Sequence, residues 1–306
     1  MEIANTNRER MSNLMKKRSI FMKLICVCLA VATMLMLGTA SVSARNDTII
    51  TPVSVHLDGL AVFDGESGEK ALLVDAVTYV PLRRFCTLMG GGEVSWDADN
   101  RMATVRATGL DISVTEGKSY IMVNERVFYC QSSNLIIGGS LYVPVRVISK
   151  AYGLDVAWCA SKEGGLGYVE LTSGGSRAED ASDVYDAEVL YWLSRIISAE
   201  SRGESLTGQI AVGNVVLNRT RNANFPDTVY DVIFDTKYGV QFTPVSNGTI
   251  YDEPTQSSII AAKICLEGYT LSDDILYFLN EAISTNMWVS NNRTYIMTLG
   301  NHAFYS

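Results

Sequence analysis

The side chain with the clearest chemical potential in this sequence is the carboxylate of Glu200. It continues an apolar stripe with the spacing of one helical face, formed by Val189, Leu193, Ile196 and Ile197. A carboxyl group among apolar side chains loses hydration, and this loss raises its pKa. A raised pKa lets a carboxylic acid donate a proton near neutral pH. The pattern therefore predicts that Glu200 is a general acid at the end of a helix.

A glycine separates Glu200 from the next glutamate. Helices commonly end at glycine, so Gly203 predicts that Glu200 lies in the last helical turn and that Glu204 lies beyond it. We therefore expect Glu204 to cap a helix or to form a salt bridge. The carboxylates that could complete a two-acid site lack a comparable pattern, and they are Glu204, Asp235, Asp252, Glu253 and Asp274.

The pattern of the C-terminal part of the chain is helical. Three helices are predicted there, at residues 184–200, 205–219 and 255–267. In the third, Ile259, Ala262 and Leu266 mark the apolar side, and Lys263 is expected to face away from it. Residues 222–232 are predicted to form a loop.

Charge excludes several partners. The 306 residues carry a formal net charge of -8. Without residues 1–44, 19 of the 25 basic residues remain against 31 of the 33 acidic ones, a net charge of -12. A chain this acidic repels phosphate, so neither nucleic acid nor an anionic lipid surface is an expected partner.

The N-terminus has the three parts of an export signal. A basic cluster around Lys16 and Lys23 precedes an apolar run at residues 24–37, which is short for a membrane span. Small residues at 42–44 then resemble a signal peptidase site. We predict a signal peptide at residues 1–44 and an exported protein of the wall or extracellular space. An uncleaved signal that anchors the chain in the membrane is the alternative.

The sequence between residues 49 and 171 is strand-like and repeats itself. Tyr79-Val80-Pro81 recurs as Tyr142-Val143-Pro144, and a glycine-led segment ending in Trp96 recurs with Trp158. Each copy predicts a strand, a short helix after the proline, and two further strands. We predict a β-rich α+β repeat domain at residues 45–171. Small and charged residues at 172–183 predict a flexible linker.

These repeats resemble the copper amine oxidase N-terminal-like domain, also called a stalk domain. The resemblance implies a spacer or a module that contacts the wall or another protein. It implies no copper site, because His56 is the only histidine of this region and one imidazole does not make a copper centre.

Rival chemistries lack the residues that they require. A zinc peptidase needs two or three histidine-type ligands, whereas the C-terminal region contains His302 alone. Cys265 lies in an apolar helical run, which is typical of a core position. With no C-x-x-C pair, the four cysteines after the signal either form up to two bridges or remain free thiols, and they are Cys86, Cys130, Cys159 and Cys265. We expect no metal and no cofactor.

The C-terminal region resembles the SleB-type cell wall hydrolases, the family of spore cortex-lytic enzymes. The matching stretches follow in the family's order at residues 199–204, 208–219, 225–229, 241–245, 277–280 and 300–304. The resemblance places the domain at residues 184–306. It implies an α-rich, lysozyme-like (α+β) fold and peptidoglycan glycan strands as the substrate.

The resemblance also implies roles for particular residues. Glu200 would protonate the oxygen of the β-1,4 bond between N-acetylmuramic acid and N-acetylglucosamine. Because one carboxyl suffices for a lytic transglycosylase, we favour that reaction, in spore cortex lysis or wall remodelling. The expected substrate contacts are Gln209, Asn218, Gln241, Tyr277, Asn280 and His302. A muramidase or glucosaminidase that uses water, and a wall-binding protein without activity, are the alternatives.

Overall fold

The structure is a computed structural model that describes residues 50–64, 68–161, 164–284 and 286–306. The predicted signal peptide lies outside these residues. Residues 49–306 form one compact unit. Within the described ranges, no helix combines the length and the apolar character needed to cross a membrane.

The N-terminal part is β-rich, as predicted. Its strands are β1 (Ile50–Val53), β2 (Val55–Leu57), β3 (Leu60–Phe63), β4 (Ala71–Val74), β5 (Val77–Pro81), β6 (Glu93–Asp97), β7 (Met102–Ala107), β8 (Leu110–Thr115), β9 (Tyr120–Val123), β10 (Arg126–Tyr129), β11 (Leu135–Ile137), β12 (Ser140–Pro144), β13 (Asp155–Cys159) and β14 (Tyr168–Thr172). They form three sheets in the orders β1-β4-β5-β12-β11, β10-β9-β8-β7-β6 and β13-β14-β2-β3.

The two sequence repeats meet at the centre of the first sheet. Strands β5 and β12 pair antiparallel, with Val80 opposite Val143. Each strand ends in a proline that begins a short helix, α1 (Leu82–Leu88) or α2 (Val145–Ala151). Proline fits the first residues of a helix because their amides have no intrahelical acceptor. The two copies of the repeated tripeptide therefore pair with each other and form the contact between the repeats.

The segment predicted as a flexible linker is held against the repeat domain. Ala178 is 9% exposed and its carbonyl oxygen accepts a hydrogen bond from the Asn124 side chain at 3.0 Å. The Arg177 guanidinium donates to the carbonyl oxygen of Thr108 at 3.1 Å. The composition predicted a flexible linker at residues 172–183, but these contacts hold that segment against the repeat domain.

The C-terminal part is largely helical. Its helices are α3 (Ala181–Val184), α4 (Ala187–Ser201), α5 (Leu206–Thr220), α6 (Val229–Phe234), α7 (Thr243–Asn247), α8 (Gln256–Leu266) and α9 (Trp288–Asn292). The three predicted helices correspond to α4, α5 and α8. Ser205 and Thr255 cap α5 and α8 through their side chains. The loop predicted at residues 222–232 is shorter than expected, because α6 begins within it.

A small sheet, which the sequence did not predict, completes this part. It has the order β15-β17-β16, from strands β15 (Tyr277–Leu279), β16 (Tyr295–Leu299) and β17 (His302–Tyr305). Phe278 lies opposite Phe304 in the β15–β17 pair. Phe304 is fully buried in the same apolar core as the helices, so one face of the sheet closes that core.

Helix α8 lies between the repeat domain and helices α4 and α5. Val127 of strand β10 is fully buried and belongs to the apolar core of the C-terminal part. Lys263, predicted to face away from the core, instead donates a hydrogen bond to the carbonyl oxygen of Glu125 at 2.7 Å.

Of the apolar side predicted for α8, only Ala262 is buried, and Ile259 and Leu266 are half-buried. Ile260 and Ile264, which were not assigned to that side, are buried. A helix packed on two sides has no single solvent face.

One carboxylate joins the two parts. Glu267, at the end of α8, accepts hydrogen bonds from Arg126 at 2.7 and 3.0 Å, from Lys150 at 2.8 Å and from the Tyr185 hydroxyl at 2.8 Å. We call these four residues the Glu267 cluster. Burial alone would raise the pKa of Glu267, but these donors hold it below its ordinary value.

The four described cysteines are free thiols, so the bridges that the sequence left open do not form.

Candidate active site

Helix α4 brings Glu200 to the edge of the apolar core. Asp186 caps the start of the helix by accepting hydrogen bonds from two backbone amides. Leu193, Ile196 and Ile197 are fully buried, which confirms the predicted stripe. The helix ends at Ser201, so Glu200 lies in its last turn as predicted. The glycine at 203 does not adopt the left-handed conformation of a helix-ending glycine.

The carboxyl group of Glu200 is desolvated and unpartnered. Its side chain is half-buried, and none of the described residues gives it a hydrogen bond or an ion pair. Burial raises the pKa of Glu200 to about 7, with no contribution from a neighbouring charge. Such a group is protonated for part of the time near neutral pH and can give up or take a proton there.

Glu204 is fixed to the hairpin between β16 and β17. Its carboxylate accepts hydrogen bonds from the side chain and the backbone amide of Asn301, at 2.7 and 3.3 Å. Gly300 has a φ of 57°, and a β-carbon there would collide with the Glu204 carboxylate. Glu204 therefore holds the hairpin through Asn301. The expected capping role is wrong, because the Ser205 side chain caps α5, and Glu204 forms no ion pair among the described residues.

Two of the predicted sugar contacts are structural instead. Gln209 is 2% exposed, donates to the carbonyl oxygen of Glu204 and accepts from the Ser258 hydroxyl. Asn218 is 5% exposed and donates to the carbonyl oxygens of Ser272 and Ile275. Their amide groups fix backbone segments that surround α5, and both side chains are almost fully buried.

Gln241, Tyr277 and Asn280 are more accessible. All three are half-buried. Gln241 donates to the carbonyl oxygen of Gly239, and the side-chain oxygen of Asn280 accepts from a backbone amide two residues later. Each amide keeps hydrogen-bonding capacity for a ligand.

The Tyr277 ring has two cationic neighbours. The guanidinium carbons of Arg219 and Arg293 lie 5.4 and 4.5 Å from its centre. These cations compete with a sugar for the ring, so Tyr277 is a weaker stacking candidate than the sequence suggested.

His302 lies in the sheet, 9% exposed, with its ring 5.3 Å from that of Phe278. Burial lowers the pKa of His302, and the charge of Glu204 opposes this change. Its Nδ1 has no partner among the described residues. This environment favours a neutral, architectural histidine over a substrate contact.

Arg219 is the functional candidate that the sequence did not single out. It is 5% exposed, donates from Nε to the carbonyl oxygen of Leu276, and has no partner at Nη1 among the described residues. The rings of Phe225, Phe242 and Tyr277 lie 4.9 to 5.4 Å from its guanidinium carbon. Burial lowers the pKa of Arg219 to about 10. No local sequence pattern distinguishes a caged arginine from an exposed one at a helix end.

Most of the other carboxylates have partners elsewhere. Asp252 lies 3.9 Å from Arg202, Glu253 pairs with Arg195 at 2.8 Å, and Asp235 accepts from a backbone amide. In the described part of the chain, no group of three or more His, Cys, Asp or Glu side chains is arranged to hold a metal ion. The site is thus organised around one carboxyl group.

Comparison with known proteins supports this architecture. The model of the family described as Cell Wall Hydrolase matches residues 203–305. The C-terminal part of this chain is therefore a cell wall hydrolase domain. The model of the Copper amine oxidase N-terminal domain matches residues 62–163, so a stalk-like domain precedes the cell wall hydrolase domain. Glu200 stands three residues before the matched segment, and the predicted start of that domain at 184 remains a prediction.

Relatives of the cell wall hydrolase domain are spore cortex-lytic enzymes. The chain is 33% identical to the spore cortex-lytic enzyme of Oceanobacillus iheyensis. The match covers 46% of this chain and 50% of the relative, so this chain spans about half of that protein. It is 28% identical to that of Bacillus cereus, over 67% and 86%. The catalytic domain of the germination-specific lytic transglycosylase SleB from Bacillus anthracis is 34% identical over 40% of this chain and 97% of that one, with a TM-score of 0.37.

Proposed function

We propose that this chain is an exported enzyme that cleaves peptidoglycan at the β-1,4 bond between N-acetylmuramic acid and N-acetylglucosamine. Glu200 is its general acid and base. One observation carries the proposal: a desolvated carboxyl with a pKa of about 7, unpartnered among the described residues, lies in the last turn of an apolar helix. It stands three residues before the segment that matches the Cell Wall Hydrolase family. The helices and the small sheet around it support a lysozyme-like fold for this domain.

Glu200 first protonates the glycosidic oxygen as the bond to the muramoyl C1 breaks. The resulting carboxylate then removes a proton from the C6 hydroxyl of the same sugar, which attacks C1 and closes a 1,6-anhydro ring. An intramolecular hydroxyl needs no activated water, because its effective concentration is orders of magnitude above that of a free nucleophile.

The electrostatics of Glu200 favour this lytic transglycosylase reaction over hydrolysis. Retaining glycosidases place two carboxyl groups about 5 Å apart, and a second carboxylate at that distance shifts the pKa of the first. Burial is the only cause of the raised pKa of Glu200. This supports a single acid that serves both proton transfers.

Mass spectrometry of the muropeptides released from purified peptidoglycan tests the proposal. We expect 1,6-anhydro-muramoyl ends from the parent chain and none from the Glu200→Gln variant. Reducing muramoyl ends instead would show a muramidase that uses water, and reducing glucosaminyl ends a glucosaminidase. A parent chain that sediments with peptidoglycan and releases no fragments would be a wall-binding protein without activity.

Gln241 and Asn280 are the accessible amides that we propose as glycan contacts. Substituting each with alanine should raise the substrate concentration needed for half-maximal release, while the product keeps its anhydro end. A matched control is Asn247→Ala, because Asn247 is an exposed amide that, among the described residues, accepts only from the neighbouring Thr249.

A further inference from the structure

A basic cleft lies where the connecting segment crosses the repeat domain. It has a volume of about 330 Å³ and is lined by Arg126, Phe128, Lys150, Ser176, Arg177, Ala178 and Glu179. This volume is at the lower end of the range typical of small-ligand sites. Three of the lining side chains are cationic, although the whole chain has a net charge of -8. We call this the basic cleft.

The cations of the basic cleft are only partly neutralised. Arg126 and Lys150 share one carboxylate, that of Glu267, which is 5% exposed. Arg177 forms no ion pair among the described residues, and Glu179 is an exposed acid on the rim. Three positive charges thus face two negative ones, which leaves an excess positive charge at the opening.

Arg177 is also positioned in advance. Its guanidinium donates to the carbonyl oxygens of Thr108 and Met89, at 3.1 and 3.4 Å, and its central carbon lies 5.7 Å from the Tyr152 ring. Carbonyl oxygens hold the side chain without cancelling its charge. An arginine fixed in this way loses little conformational entropy when it binds a planar carboxylate.

We propose that the basic cleft binds a carboxylate of the peptide stems of peptidoglycan. This proposal rests on the proposed function, since the substrate glycan carries those stems. The site would hold the wall polymer on the repeat domain while the glycan lies at Glu200. It gives the stalk-like domain a ligand of defined chemistry in place of a general spacer role.

Sedimentation of the full-length chain with purified peptidoglycan tests the proposal, after teichoic acids have been removed. All variants carry Glu200→Gln, so that no cleavage occurs during binding. Arg177→Gln should bind roughly tenfold more weakly, because it loses a charge-assisted hydrogen bond. Arg83→Gln is the matched control: Arg83 is exposed in the repeat domain, does not line the cleft, and should leave binding unchanged.

Removing the stems identifies the ligand. With peptidoglycan stripped of stems by an amidase, the parent should fall to the affinity of Arg177→Gln, and that variant should lose no more. Arg177→Lys keeps the charge but loses the planar guanidinium, so it should bind more tightly than Arg177→Gln and more weakly than the parent. Circular dichroism and thermal melts of each variant verify that it is folded.

Several results would overturn the proposal. They are equal binding by Arg177→Gln and Arg83→Gln, equal losses in both chains on stem removal, and binding only to walls that keep their teichoic acids. An Arg177→Lys variant as weak as Arg177→Gln would also overturn it, because the role of Arg177 would then be structural. Muropeptide release is measured separately, so failure of the Glu200 assignment leaves this test intact.

Discussion

Glu200 and Glu267 occupy similar places and have opposite electrostatics. Each is a poorly exposed glutamate at the C-terminal end of a helix, where the helix dipole disfavours a negative charge. Burial acts to raise the pKa of both side chains. The pKa of Glu200 rises to about 7, whereas the pKa of Glu267 is lowered by its donors.

The difference shows that partners, and not burial alone, decide what a buried carboxyl does. Arg126, Lys150 and Tyr185 favour the charged form of Glu267, which joins the two parts of the chain. Glu200 has no such donors among the described residues, so its charged form is disfavoured. The acid catalysis proposed for Glu200 and the attachment role of Glu267 therefore depend on the partners of each residue.

The largest expected effect is on enzymatic activity, which should fall on substitution of Glu200 and not on substitution of Glu267. Glu200→Gln should reduce fragment release by about 10²- to 10⁴-fold, because the amide cannot donate the proton. Glu267→Gln should keep most of the activity at a temperature where it is folded. Release of soluble muropeptides measures both variants, and an equal loss in both would break the comparison.

The second largest effect is on stability, which should fall on substitution of Glu267. Glu267→Gln should lower the free energy of unfolding by about 2–4 kcal/mol, because it leaves the largely buried Arg126 without its anion. Thermal unfolding of the full-length chain measures this loss. The control is Glu93→Gln, an exposed glutamate with no ion pair among the described residues, which should change stability by less than about 0.5 kcal/mol.

The two glutamates should also have opposite pH dependence. Between pH 4.5 and about 7 the folded chain keeps the Glu200 proton that the unfolded chain has lost, so stability falls as pH rises through that window. Relative to Glu200→Gln, the parent should lose up to about 3 kcal/mol. Glu267, with its lowered pKa, contributes stability above pH 4.5 that is lost as pH falls below that value.

Denaturant unfolding of the parent and both variants from pH 3 to pH 9 measures these slopes. A pH-independent difference between the parent and Glu200→Gln would contradict the raised pKa.

The smallest effect concerns the hydroxyl of Tyr185. Tyr185→Phe removes a donor to Glu267 and an acceptor for the Val127 amide, which are 2.8 and 3.3 Å away. We expect a loss of about 1 kcal/mol, because one buried amide is left unpaired. Tyr191→Phe is the control, since the exposed Tyr191 hydroxyl has no such partners. Losses of similar size in both variants would show that the Tyr185 bonds contribute nothing.

Local patterns predicted the helices better than their tertiary contacts. The apolar stripe before Glu200 is a signal within a few residues, and the helix formed where it indicated. The repeated tripeptide likewise revealed both copies of the repeat domain. Such features depend on neighbours in the sequence, which a single chain displays directly.

Tertiary partners could not be predicted in the same way. The Arg126–Glu267 bond joins residues 141 positions apart, and nothing beside either residue marks the other. The amides of Gln209 and Asn218 suited sugars and backbone equally well, and only the packing around α5 decided between them. The contact of Lys263 with the repeat domain could not be predicted, because the sequence of a helix does not show which other domain packs against it.

The edge of the second sheet has a consequence for chain association. Among the described strands, β10 pairs only with β9, so its other side is an open edge that could pair with another molecule. In this chain the Tyr185 hydroxyl occupies the Val127 amide and Lys263 occupies the Glu125 carbonyl oxygen. The C-terminal part of the chain thus covers this edge and prevents edge-to-edge aggregation. A stalk-like domain without it would need another way to cover strand β10.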